Sequence, residues 1–185
     1  MANFSILYVA IILIGYALPV VKYVRKKKHW LETASLIFMA VYTVVLIQTT
    51  IFPFYFDKTI FESQPPRINL IPFHTIYETC THLSAGTALR QVAGNVILFM
   101  PLGFLLPIFC SKAQRNFPAL LYIIGVSLGI EIVQLLISLL TGIPNRVADI
   151  DDIILNTLGG EIGYLIYRFC RRYIFPLFIR QPEKS

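Results

Sequence analysis

Charged and polar residues divide this chain into long apolar runs, near residues 4–21, 31–54, 92–110, 117–140 and 153–169. Each holds about 17 to 24 residues, enough at about 1.5 Å rise per residue to cross a hydrocarbon core as a helix. The pattern predicts an all-α protein, a polytopic transmembrane helical bundle of about five spans. It also predicts an organisation along one membrane domain. Residues 1–54 form two generic transmembrane helices, 55–91 an extracytoplasmic loop, 92–173 a three-helix core, and 174–185 a polar, loose cytoplasmic tail.

Within two of the runs the polar positions are ordered. Ser127, Glu131, Gln134 and Ser138 recur at i, i+4, i+7 and i+11, one polar stripe along an otherwise apolar helix. A Glu at membrane depth costs several kcal/mol when charged and unpaired, so Glu131 marks a functional site or a neutral acid bonded to an amide. Gly125 and Gly129, on roughly the opposite side, form a small-xxx-small step suited to close packing, and Gly159 and Gly163 form a second. Between the stripe and the last run lies TGIPNRVADIDD, which sets Arg146, Asp149, Asp151 and Asp152 at the outer surface. Asp149, Asp152 and Asn156 stack on one face if the last helix starts early, although acids at a helix start also cap it. Glu161 lies off the Asn156 face.

The second run carries Thr43, Gln48, Thr49 and Thr50 in its outer half, a pattern of interhelical hydrogen bonding or a wet mouth, and Pro53 marks its end. The third run, expected to start after Arg90, places Gln91 and Asn95 on one face and contains Pro101 and Pro107, which predict kinks. The loop before it is longer than a connector requires. Its segment NLIPFHTIY, residues 69–77, is apolar enough to lie in the membrane interface, with Asn69, His74 and Thr75 as polar features. Pro72 blocks a regular helix there, whereas residues 74–83 can form a short one. His74 reads as a structural hydrogen bonder or as a base.

Charge then orients the bundle. Twelve of the sixteen Lys and Arg end or follow the first, third and fifth runs: Lys22 and residues 25–28, then Lys112 and Arg115, then Arg168, Arg171, Arg172, Arg180 and Lys184. The positive-inside rule places the amino terminus outside and the carboxyl terminus inside. Composition agrees with a membrane chain: 185 residues, 56% hydrophobic, with mean hydropathy +0.69. The basic runs read as topology signals and anionic-lipid contacts, and nucleic-acid binding is not expected because no soluble module accompanies them. Residues 1–5 carry no basic side chain, so the first run reads as a retained helix, not a signal peptide. Three cysteines make no disulfide framework: Cys80 falls outside, Cys110 and Cys170 at cytoplasmic ends.

The order of four motifs, NLIPF at 69–73, GNVILFMPLGFLLP at 94–107, IEIVQ at 130–134 and R-x-x-D-x-D-D-x-x-x-N-x-x-G-G from Arg146 to Gly160, resembles the VanZ-like family of bacterial membrane proteins. The resemblance covers residues 69–164. It implies a multi-pass protein of the bacterial plasma membrane, with some relatives linked to reduced susceptibility to glycopeptides such as teicoplanin, and supplies no settled catalytic mechanism. Its motif residues fall here on Asn69, Phe73, Asn95, Glu131, Gln134, Arg146, Asp149, Asp152 and Asn156.

Three functions remain open on these residues. One is an outer-leaflet site that binds or modifies a cell-envelope lipid, a lipid-linked cell-wall intermediate or a lipoglycopeptide, with Asn69, Asn95, Gln134, Arg146 and Asn156 binding the ligand. Another is an enzyme on polyprenyl or phospholipid phosphates, in which Asp149, Asp152 and Asn156 hold a divalent cation, Arg146 clamps phosphate, and Glu131, Asp152 or His74 carries the catalysis. The third is a proton-linked transporter relaying through Glu131 and Glu161, against which stands the lack of an inverted repeat. An oligomer is compatible with each.

Overall fold

The computed structural model describes residues 11, 12, 14–17, 21, 30–52, 67–143 and 147–178. Most of the first apolar run, residues 53–66, Arg146 and the tail beyond residue 178 lie outside them. The chain divides into two compact units, Met1–Thr75 with Val126–Asp151, and Ile76–Gly125 with Asp152–Ser185.

The elements, in order, are helix α1 (Trp30–Thr50), strand β1 (Ile68–Asn69), α2 (His74–His82), α3 (Ala85–Phe109), a 3-10 turn (Ser111–Gln114), α4 (Asn116–Thr141), strand β2 (Ala148–Asp149), α5 (Ile150–Phe169), a π turn (Cys170–Ile174) and α6 (Phe175–Phe178). Four of the five apolar runs are thus helices, and the described part of the first is helical too. Among the described residues, three helices are long and apolar enough to cross a membrane, at Thr33–Thr50, Ala85–Phe109 and Asn116–Thr141. Helix α5 is not one of them, because Asp151, Asp152, Glu161 and Arg168 fall within its 20 residues.

In the first unit, α1 buries Leu36, Ala40, Tyr42 and Leu46. Its threonines are satisfied inside the helix: Thr43, Thr49 and Thr50 each donate to the carbonyl four residues back, at 2.7–2.8 Å. Thr43 also meets the Tyr16 hydroxyl at 3.1 Å. The helix stops three residues short of Pro53. Helix α4 ends at Thr141, and Gly142 follows at φ 64°, a left-handed residue that glycine adopts without a Cβ penalty. Strands β1 and β2 then pair in parallel, Ile68 opposite Ala148 and Asn69 opposite Asp149.

In the second unit, α3 starts at Ala85, six residues before Gln91. Ser84 explains the earlier start: its hydroxyl accepts from the Thr87 amide, capping a first turn that carries little apolar signal. Pro101 and Pro107 both sit inside the helix.

Backbones of α3 and α5 touch through glycine. A Cβ on Gly159 would strike the Val96 carbonyl, one on Gly163 the Met100 carbonyl, and one on Gly103 the Gly160 carbonyl. The small-xxx-small step at 159 and 163 is therefore a helix contact, as its spacing predicts. The step at 125 and 129 makes no such contact among the described residues, where a Cβ at either meets nothing within 4 Å. Around these contacts Phe99, Leu105, Ala119 and Ile123 are buried to within 1%, and Phe104 meets Tyr167 edge to face at 6.1 Å. The chain after Tyr173, expected to be loose, begins as the short helix α6.

Candidate functional site

The polar stripe of α4 is buried along its whole length, with Ser127 and Ser138 at 0% exposure, Glu131 at 5% and Gln134 at 7%. Two of its members have defined partners in the first unit. Gln134 donates from Nε2 to the carbonyl of Thr50 at 2.8 Å, satisfying a terminal carbonyl of α1 that has no acceptor role inside its own helix. Glu131 accepts the backbone N–H of Asp149 through Oε2 at 2.9 Å. A carboxyl buried in a long apolar helix thus finds a backbone donor from the β2 segment.

Asp149 is the hub of that segment. Helix α5 begins at Ile150, so Asp149 is its N-cap, and its Oδ1 accepts the Asp151 amide at 2.9 Å. The same oxygen accepts from Asn69 Nδ2 at 3.1 Å. Asn69 uses every polar atom of its amide: Nδ2 also donates to Thr75 Oγ1 at 2.9 Å, and Oδ1 accepts the Ile71 amide at 3.1 Å. Only an amide can donate to a carboxylate and a hydroxyl while accepting an N–H. The Ala148 amide donates to the Arg67 carbonyl at 3.1 Å, continuing the pairing of the two strands.

The turn that follows Asn69 is strained. Pro72 occupies its second position, the His74 amide donates to the Ile71 carbonyl at 3.3 Å, and Phe73 in third position has φ 66°. These are the features of a type II turn, whose third position favours glycine because φ is positive. For phenylalanine the left-handed backbone costs roughly 1–2 kcal/mol. What holds it is a carboxylate: the Phe73 amide donates to Asp151 Oδ1. The turn lifts Ile68, Leu70, Ile71 and Phe73 outward, each between 55% and 73% exposed.

The acids of ADIDD are accordingly not a surface group. Asp149 is 6% exposed and Asp151 1%, contrary to the expectation that they lie on the outer surface, because backbone and amide N–H groups compensate their burial. Asp149, Asp152 and Asn156 do not share one helix face either, since Asp149 precedes the helix. In the second unit Asp152 Oδ1 accepts from Asn95 Nδ2, which ties α3 to the first turn of α5, a pairing the sequence did not indicate. Asn156 is buried at 4%. His74 is exposed at the first position of α2, and Glu161 is exposed on α5. Arg146 lies outside the described residues. Among them, no three His, Cys, Asp or Glu side chains gather as a group able to hold a metal ion.

Asp151 is the residue that sequence reading passed over. Its signal was available only in part: three aspartates in four residues exceed what one cap needs, yet nothing in the sequence tells which of them reaches a turn 78 residues earlier.

A model of the VanZ/LLP1 family matches residues 38–171. Protein VanZ of Enterococcus faecium is 28% identical over 137 residues, covering 74% of this chain and 74% of that protein. No solved structure matches.

Proposed function

We propose, from the premise that this chain belongs to the VanZ/LLP1 family, that it is a multi-pass protein of the bacterial plasma membrane whose outward loop takes the acyl part of a cell-envelope lipid or lipoglycopeptide, lowering teicoplanin susceptibility. The loop around residues 67–75 is the binding element. The buried set Glu131, Asp149 and Asp151 is its anchor, and the ligand meets the loop's apolar crest, not the acids.

One observation carries this reading. Leu70, Ile71 and Phe73 stand exposed beside or on a turn whose Phe73 amide is held by the buried Asp151 carboxylate, while the buried Glu131 of α4 holds the amide of Asp149 on the paired strand. Full burial of each such side chain is worth roughly 1.5–3 kcal/mol, a sufficient drive for insertion among acyl chains. Holding them exposed on a strained turn has a cost, which a ligand contact explains. In the orientation given by the positive-inside rule, this crest lies at the outer leaflet, where a lipoglycopeptide anchors and where lipid-linked cell-wall intermediates are used.

In this scheme Glu131, Asp149 and Asp151 act by holding backbone and Asp152 by holding the Asn95 amide, so the catalytic and proton-relay readings gain no specific support. A photoreactive benzoylphenylalanine at Leu70, tested in intact Gram-positive cells given an acylated glycopeptide or its deacylated form, examines the proposal. Crosslinks to the acylated drug or to a lipid-linked intermediate, absent from the same probe at Leu158 on α5, are expected. Crosslinks to bulk phospholipid alone from both positions would overturn it.

A further inference from the structure

At the other end of the second unit the chain gathers positive charge, with no Asp or Glu in the described sequence on either side of it. Lys112 and Arg115 lie on the 3-10 turn and the residue after it, while Arg168, Arg171 and Arg172 lie on the last turn of α5 and the π turn. Neither residues 79–125 nor residues 162–178 contain an Asp or Glu. The nearest acid along α5 is Glu161, about 10 Å of helix rise from Arg168.

Two of these arginines are positioned by neutral amide oxygens, which bring no negative charge of their own. Arg168 Nη1 donates to Asn116 Oδ1 at 3.2 Å, and Arg171 Nη1 to Gln114 Oε1 at 3.0 Å. Tyr164, buried at 6%, donates to the Gln114 carbonyl or to Asn116 Oδ1 at 3.0–3.1 Å. The 3-10 turn is therefore tied to α5 by side chains. Beside it is an open groove of about 740 Å³, lined by Lys112, Arg115, Pro118, Leu121 and Tyr122.

We infer that this groove is a binding site for an anionic phospholipid, its phosphate on Lys112 and Arg115 and its acyl chains along Pro118, Leu121 and Tyr122. Charge complementarity gives the headgroup. The position of the groove gives the tails: its apolar wall is the first two turns of α4, a helix apolar enough to span a membrane, and neighbouring Phe117 is 68% exposed. A soluble phosphate would leave that wall without an occupant. The site is separate from the loop assigned to envelope binding, and its lipid belongs to the leaflet at the basic ends of the spans.

The test uses the purified full-length chain in a mild detergent, with thermal unfolding followed while phosphatidylglycerol or phosphatidylcholine is titrated. Inorganic phosphate is added in a parallel arm. Phosphatidylglycerol should raise the melting temperature more than phosphatidylcholine, with half-saturation about fivefold higher in Lys112→Gln and again in Arg115→Gln, the factor expected for each surface cation. Arg90→Gln, which removes one charge from the far end of α3, should behave as wild type. Equal response to the two lipids overturns the site, and this needs no variant to fold. So does an Arg90→Gln loss equal to that of Lys112→Gln, or a full response to inorganic phosphate alone.

Discussion

Replacing Glu131 with leucine isolates the anchor of the 67–75 loop. Leucine fills much of the same space but removes the oxygen that accepts the Asp149 amide, in a place where Glu131 is 5% exposed and water has little access. An orphaned buried N–H costs about 1–3 kcal/mol, which lowers the closing equilibrium of the loop roughly 5- to 150-fold. Because Asp149 also receives Asn69 and the Asp151 amide, and Asp151 receives Phe73, the loss should spread through residues 67–75. Glutamine at the same position keeps a carbonyl oxygen on the same stem, so Glu131→Gln should lose about 1 kcal/mol or less. Hydrogen exchange of the protein in lipid nanodiscs reads this directly. Amides of residues 68–74 and 148–151 should exchange at least about fivefold faster in Glu131→Leu, while α3 amides stay as in wild type. Unchanged exchange in the loop of Glu131→Leu would refute the assignment of Glu131 as its anchor.

Other expectations follow from the same contacts. Asn69→Asp puts a second carboxylate within hydrogen-bond reach of Asp149, and the pair can close only by sharing a proton; loop protection in that variant should be lost at neutral pH and return as pH falls, whereas wild type shows no such recovery. Gly159→Leu should lower the melting temperature sharply, because its side chain meets a carbonyl that no rotamer change can move and overpacking of this kind costs about 1–3 kcal/mol or more. Gly125→Ala, with open space around it, should leave melting unchanged or raise it. Membrane-impermeant maleimide applied to intact cells should label Cys80 and leave Cys110 untouched until the membrane is opened, if the chain takes the orientation that the positive-inside rule predicts. In opened membranes Cys110 should alkylate at a lower pH than an ordinary thiol. The Ala113 amide holds its sulfur below the usual thiol range, and a lowered value means more thiolate at any given pH.

How far the sequence revealed this architecture depended on the range over which each signal acts. The spans at α1, α3 and α4 were legible because an apolar run is a property of each residue and adds along the chain. The α4 stripe was legible by contrast, four polar residues on one face of an apolar helix. The α3 start was obscured because SAGTALR is an ordinary capped turn with little apolar signal. The pairing of β1 with β2 was beyond reach, since two-residue strands 80 residues apart have no periodicity to read. Phe73 conceals its positive φ because glycine is the residue that announces such a turn. Glycine spacing was informative only in part: at 159 and 163 it marks a groove that α3 fills, and at 125 and 129 it marks one that none of the described residues fills. The acids of ADIDD were visible as an excess, but their division among a cap, an amide on α3 and a strained turn is a property of the fold.

The account's central claim is that the apolar crest, held by buried carboxylates, is what acts on the envelope. Teicoplanin susceptibility of a sensitive Gram-positive host, measured with wild type, Leu70→Asp, Glu131→Gln and Glu131→Leu at matched membrane levels, tests it most directly. Protection is predicted from wild type, in large part from Glu131→Gln, and from neither Leu70→Asp nor Glu131→Leu. Equal protection from Leu70→Asp and wild type, or none from wild type, would contradict it.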